Sequence, residues 1–135
     1  MIRYPFLDLA KVTAPYSDEL KEACCRVIDS GRYIGGDEVE SFERMLAASC
    51  GSAYAVGVAN GLDALRLIFR SYIELGEMKP GDEVIVPSNT YIATVLAVTD
   101  MGLKPVFVEP SLSTMNIDDT LIGAAVTPRT RAILT

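Results

Sequence analysis

The chain contains no histidine and no tryptophan in 135 residues. Without histidine, Ser-His and Cys-His nucleophile pairs and histidine metal sites are excluded. Cysteine is nearly as scarce. Cys24 and Cys25 adjoin and Cys50 stands apart, which makes neither a Cys-x-x-Cys zinc spacing nor an even-numbered disulfide framework. No metal site is expected, and the thiols read as reduced and buried, as in a cytoplasmic protein. No apolar run approaches the length of a membrane span, and the start, Met1-Ile2-Arg3-Tyr4-Pro5, lacks the apolar core of a signal peptide. Positive charge is in short supply too: 12 Lys and Arg against 18 Asp and Glu give a net charge of −6. The bases are scattered, so neither nucleic acid nor an anionic membrane is expected as a partner. An anionic ligand has to be held by local geometry.

Half of the residues are hydrophobic, enough for a core and against disorder, and the length suits one domain. Residues 1–16 read as an extended arm closed by Pro15, with Phe6, Leu7 and Leu9 as packing anchors. The remainder, residues 17–135, alternates between helix and strand patterns. Ser17 is expected to cap a helix carrying Leu20, Ala23, Cys24, Val27 and Ile28 on one face, ended by Ser30-Gly31. The glycine-bounded loop 31–36 follows, with Tyr33 at its centre. Asp37 and Glu40 then suggest a capping box for a helix with the stripe Val39, Phe42, Met45 and Leu46. A strand is expected over Tyr54–Val58. The next helix should bury Leu65, Ile68, Phe69, Tyr72 and Ile73, turn Arg66, Arg70 and Glu74 outward, and stop at Gly76. Pro80-Gly81-Asp82 turns into a strand over Val84–Val86, and Ser88-Asn89-Thr90 caps a helix running to Gly102. A strand over Pro105–Val108, a short helix over Asp118–Ala125 and the strand-like Ala132-Ile133-Leu134 complete the pattern.

The strands are apolar throughout instead of alternating, which predicts an α/β fold: a mostly parallel sheet with helices on both faces. Ligands on such sheets gather at the carboxyl ends of the strands. Two helix starts belong there, Ala59-Asn60-Gly61-Leu62 and Pro87-Ser88-Asn89-Thr90-Tyr91. The first N–H groups of a helix lack intrahelical partners and carry the positive end of its dipole. Gly61 lets a ligand approach the backbone, and Asn60 is a capping residue. The corner is therefore either an anion site or a well-capped turn that holds nothing. Neither Gly-x-Gly-x-x-Gly nor Gly-Lys-Ser/Thr occurs, so dinucleotide and P-loop readings lose their usual support.

Six stretches carry a family resemblance: Phe6-Leu7-Asp8-Leu9, residues 29–36, 39–43, 57–65, 80–94 and 105–110. In order and spacing they resemble the pyridoxal-phosphate-dependent nucleotide-sugar aminotransferases of the DegT/DnrJ/EryC1/StrS group. The run Asn60-Gly61-Leu62-Asp63-Ala64-Leu65 is similar to the branch that aminates 3-keto sugars on dTDP carriers. The resemblance implies a fragment of the fold-type I large domain, with cofactor phosphate at Asn60, Gly61 and Leu62 and the aromatic ring of Tyr91 stacked on the cofactor's pyridine face. Leu62 departs from the commoner Ser-Gly-Thr form and brings no hydroxyl, so phosphate binding leans on main-chain N–H groups. Tyr33 is implied to approach the active site near a subunit boundary. Asn89 keeps two readings, a sugar contact or a helix cap.

Transamination through pyridoxal phosphate needs a lysine for the Schiff base and proton transfer, and a carboxylate on the pyridinium nitrogen. The resemblance implies that both come from segments past Thr135. The lysines here are Lys11, Lys21, Lys79 and Lys104. Lys21 is expected on the polar face of its helix, and Lys79 and Lys104 at the amino end of the sheet; nothing places Lys11 at the ring. No catalytic residue is assigned. The expectation is the N-terminal portion of a cytoplasmic aminotransferase that forms a homodimer or a higher assembly and converts a keto-sugar nucleotide to an amino-sugar nucleotide, with an amino donor that is usually glutamate, and that is not catalytic on its own. The alternative is a non-catalytic folded module that self-associates and binds a phosphate-bearing ligand.

Overall fold

The computed structural model describes residues 5–135; the first four residues of the expected arm lie outside that range. The chain divides into two compact units, Met1–Gly57 and Val58–Thr135.

The described part of the first unit is helical. Helix α1 spans Leu9–Thr13 and a 3-10 turn covers Ala14–Tyr16. The expected extended arm is thus corrected from Leu9 onward. Asp8 caps α1 by accepting a hydrogen bond from the Lys11 N–H, and Pro15 sits in the first positions of the 3-10 turn, where its missing N–H costs nothing. That turn runs directly into α2, Ser17–Ser30, so Ser17 is a helical residue instead of the expected cap. Gly31, in the left-handed region at φ 66°, ends α2. Helix α3, Asp37–Cys50, starts from Gly36 without a side-chain cap. The expected capping box does not form, because the Asp37 carboxylate accepts from the Arg32 guanidinium at 3.0 Å. The apolar stripes of both helices exist, but Leu20, Ile28, Phe42 and Met45 remain exposed and only Ala47 is buried. All three thiols are free and exposed, which corrects their expected burial.

The stretch Tyr54–Val58 forms no strand. A strand exists only when its backbone groups find a ladder; here the Gly57 N–H goes to the Glu43 carboxylate at 2.6 Å, and Tyr54 and Val56 are exposed.

The second unit holds the sheet. Helix α4, Gly61–Glu74, leads to strand β1, Glu83–Pro87; helix α5, Ile92–Asp100, connects β1 to β2, Lys104–Val108. Helix α6, Asp119–Ala125, capped by Asp118, precedes β3, Thr130–Ile133. The strand order is β2-β1-β3, parallel throughout. β1 is central, and Val84, Ile85 and Val86 are fully buried, which is why it reads as a continuous apolar run. Val84 and Val86 pack in one hydrophobic cluster with Phe69, Met78, Ala97, Val98 and Leu103. Leu65 and Ile73 pack against this cluster as expected, whereas Ile68 and Tyr72 are half exposed. At four-residue spacing a 14-residue helix presents one stripe to the sheet, and Ile68 and Tyr72 fall on its shoulder.

The amino edge of the sheet is fastened by charge. Glu83, only 2% exposed, accepts from the Thr127 hydroxyl at 2.5 Å and from Arg129 at 2.6 Å, with the Lys104 ammonium 3.6 Å away. The Thr127 hydroxyl first, then the Arg129 hydrogen bond, hold the Glu83 carboxyl below its ordinary range against the opposing effect of desolvation. Asp82 accepts from the Lys79 N–H at 2.9 Å and faces Arg131 at 3.7 Å.

Candidate functional site: the helix starts of the sheet domain

Asn60 caps α4 as its sequence position suggests. Its side-chain oxygen accepts from the Asp63 N–H at 2.9 Å, and its amide donates back to the Asp63 carboxylate at 2.9 Å. The carbonyl of Asn60 accepts from the Ala64 N–H at 3.1 Å, the first bond of the helix proper. Among the described residues the N–H groups of Gly61 and Leu62 have no protein partner, as the first positions of a helix leave them. A side chain at Gly61 would meet nothing within 4 Å, so the approach to those donors is open.

Helix α5 starts at the carboxyl end of β1. The Ser88 N–H donates to the Val108 carbonyl at 2.9 Å, tying that turn to β2. Tyr91 occupies the cap position with extended backbone, no side-chain cap bond and a ring 79% exposed. Asn89 does not cap the helix. Its amide donates to the Met115 carbonyl at 3.0 Å, fastening the turn to the following loop, where Met115 adopts φ 60°. The cap reading of Asn89 is therefore corrected.

Helices α4 and α5 pack side by side. Helix α5 ends toward the turn at Pro80-Gly81, where the Gly81 N–H meets the Gly102 carbonyl at 2.8 Å, so its start at Tyr91 belongs to the opposite edge, the carboxyl end of the strands. Tyr33 belongs to the first unit, exposed beside a cavity of about 300 Å³ that Arg26, Ser30 and Val39 also line.

Asp63, Arg66 and Asp100, none of them assigned to the site from sequence, form an ion network beside the start of α4. Arg66 donates to Asp63 at 3.2 Å and, through Nε at 2.9 Å and Nη2, to Asp100, the last residue of α5. Asp100 first and Asp63 second raise the pKa of the guanidinium, so it stays charged. The three-residue spacing of Asp63 and Arg66 was a usable signal; the 34-residue separation of Arg66 and Asp100 gave none.

Two of the four lysines, Lys11 and Lys21, belong to the first unit, and two, Lys79 and Lys104, to the sheet unit. Lys11 pairs with Asp8 and Lys21 with Asp18, while Lys104 opens β2 beside Glu83 at the amino edge. The Lys79 N–H bonds Asp82 at that same edge. Among the described residues no cluster of metal-ligating side chains occurs, and no helix is long and apolar enough to cross a membrane.

The fold is that of the pyridoxal-phosphate-dependent aminotransferases. A solved structure of Streptomyces venezuelae DesV in complex with a ketimine intermediate superposes with a TM-score of 0.87 at 50% identity, covering 98% of this chain and 35% of that one. The Escherichia coli GDP-4-keto-6-deoxy-D-mannose-3-dehydratase with bound hydrated PLP superposes at 0.79 with 35% identity, covering 85% of this chain and 30% of that one. The family model of the DegT/DnrJ/EryC1/StrS aminotransferases matches residues 16–135, and the chain belongs to that family. The dTDP-3-amino-3,6-dideoxy-alpha-D-galactopyranose transaminase of Aneurinibacillus thermoaerophilus is 52% identical over 130 residues, 96% of this chain and 35% of the relative. The dTDP-3-amino-3,4,6-trideoxy-alpha-D-glucose transaminase of S. venezuelae is 51% identical over 132 residues, 98% of this chain and 34% of the relative. The chain thus spans about a third of the length of the curated relatives it matches.

The corner suits the cofactor that this family implies. Two unpartnered N–H groups at a helix start and an open approach over Gly61 match a phosphate. The exposed Tyr91 ring offers a flat face to a pyridine.

Proposed function

We propose that this chain is the phosphate-binding, N-terminal portion of an aminotransferase that converts a keto-sugar nucleotide to an amino-sugar nucleotide. The observation that carries this reading is the Asn60-capped start of α4, with free N–H groups at Gly61 and Leu62, in a chain half identical to two dTDP-amino-sugar transaminases. Asn60, Gly61 and Leu62 hold the phosphate of pyridoxal phosphate through main-chain donors, and Tyr91 covers one face of its ring. The cofactor supplies the electron sink for amino transfer. Asn89, anchored on Met115, shapes the turn beside the sugar, and Tyr33 reaches substrate at a subunit boundary. The relatives' printed names, dTDP-3-amino-sugar transaminases, favour a 3-keto sugar on a dTDP carrier.

This chain does not complete the chemistry. Its sheet-domain lysines lie at the amino edge, so the Schiff-base lysine and the pyridinium carboxylate come from outside residues 1–135. The apolar stripes left open on α2 and α3 support assembly as a homodimer, and the compartment is the cytoplasm.

Titration of this chain with pyridoxal phosphate, followed by borohydride reduction and peptide mapping, tests the division of labour. Saturable binding without a specific lysine adduct is expected. A stoichiometric adduct at one of the four lysines would overturn it. Supplying the downstream two thirds of a close relative as a second chain should restore the yellow colour and amination of a dTDP-keto sugar.

A further inference from the structure

Asp63 is a problem for any anion bound at the start of α4. A carboxylate in the first turn suits the helix dipole, but it is a like charge to a phosphate arriving at the same end. The structure deals with this charge on both of its oxygens. The Asn60 amide donates to one and Arg66 to the other, and Arg66 is itself anchored on Asp100 across the helix pair. We propose that Arg66 is a positioning residue for phosphate recognition: it neutralises Asp63 and holds its carboxylate against Asn60, leaving the Gly61 and Leu62 donors free for the anion. The inference rests on the reading of that corner as the phosphate site.

The side chains of Arg66, Asp63 and Asp100 are between 35% and 39% exposed, so solvent screens the pairing and the effect is moderate. The effect on affinity is accordingly a change of about two- to fivefold. The Arg66→Met variant leaves Asp63 unneutralised and should bind phosphate about two- to fivefold more weakly. Asp63→Asn keeps the backbone cap and removes the charge, and should bind more tightly by a similar factor. The double variant should return to the wild-type affinity or exceed it.

The test follows the amide resonances of Gly61 and Leu62 in this chain during titration with inorganic phosphate and, separately, pyridoxal phosphate. Rescue of Arg66→Met by Asp63→Asn supports the proposal. A loss that persists undiminished in the Asp63→Asn background shows that Arg66 only braces α4 against α5, and overturns it. Wild-type affinity in Arg66→Met overturns it as well. If Arg66→Met loses its folded amide pattern, Asp63→Asn alone decides: tighter binding supports the proposal and weaker binding refutes it. A wild-type chain whose Gly61 and Leu62 resonances ignore both probes sinks the phosphate reading itself, and the inference with it.

Discussion

Phe69 and Ile68 are neighbours on α4 with opposite surroundings, and substituting each by alanine tests how that helix is held on the sheet. Phe69 is 4% exposed among Val84, Val86 and Val98, whereas Ile68 is 50% exposed. Removing a buried phenylalanine costs about 3–5 kcal/mol, from lost transfer energy plus the cavity that remains. Ile68→Ala forfeits about half of a side chain worth roughly 1.5–3 kcal/mol and regains a few tenths in helix propensity, a net loss of about 0.5–1 kcal/mol. At roughly 0.05–0.15 kcal/mol per residue, the unit spanning Val58–Thr135 has roughly 4–12 kcal/mol in hand. Phe69→Ala therefore removes about a quarter or more of it and Ile68→Ala a small part. Urea unfolding followed by far-ultraviolet circular dichroism measures both, with an unchanged slope as the check that the denatured states match. Equal losses, or a larger loss at Ile68, would refute the placement of α4 and with it the aim of the Asn60 corner.

Acid should undo the amino edge. Because the native Glu83 carboxyl lies below its ordinary value of 4.5, its contribution is complete above that pH and fades as pH falls through the lowered native value. The stability gap between wild type and Glu83→Gln should accordingly be full at neutral pH and close on acidification, as measured by urea midpoints from pH 7 down to 3. Gly102 stands at φ 71°, and an added Cβ would also touch Pro80 at 3.4 Å; Gly76 stands at φ 77° with nothing within 4 Å. Both should lose about 1–2 kcal/mol on substitution by alanine, with the larger drop in melting temperature at Gly102.

The parallel α/β character was legible because the centre of β1, Val84-Ile85-Val86, is a continuous apolar run, and the Asn60 cap followed from a single side chain next to a glycine. The errors have a common physical origin. Residues 54–58 have strand composition, but composition specifies a strand only where a ladder exists. Asp37, Ser17 and Asn89 are good caps by type, yet each was diverted: to Arg32, to a preceding helical turn, and to the Met115 carbonyl. Capping depends on which partner a short polar side chain meets first, and that is a tertiary fact. The Arg66–Asp100 pairing was illegible for the same reason, since it depends on how two helices pack. The family resemblance implied a ligand class for the corner; the tie from Arg66 to Asp100 became visible only in the structure.

The ion cluster on buried Glu83 sits at the start of β1, and the turn that opens α5 follows its end. Cohesion is concentrated at one rim and contact with the outside world at the other, so exchanges among the rim-lining residues at Asn89, Tyr91 or Leu62 leave the ionic clamp untouched. A lineage can in this way vary the open rim by small steps without each step threatening collapse.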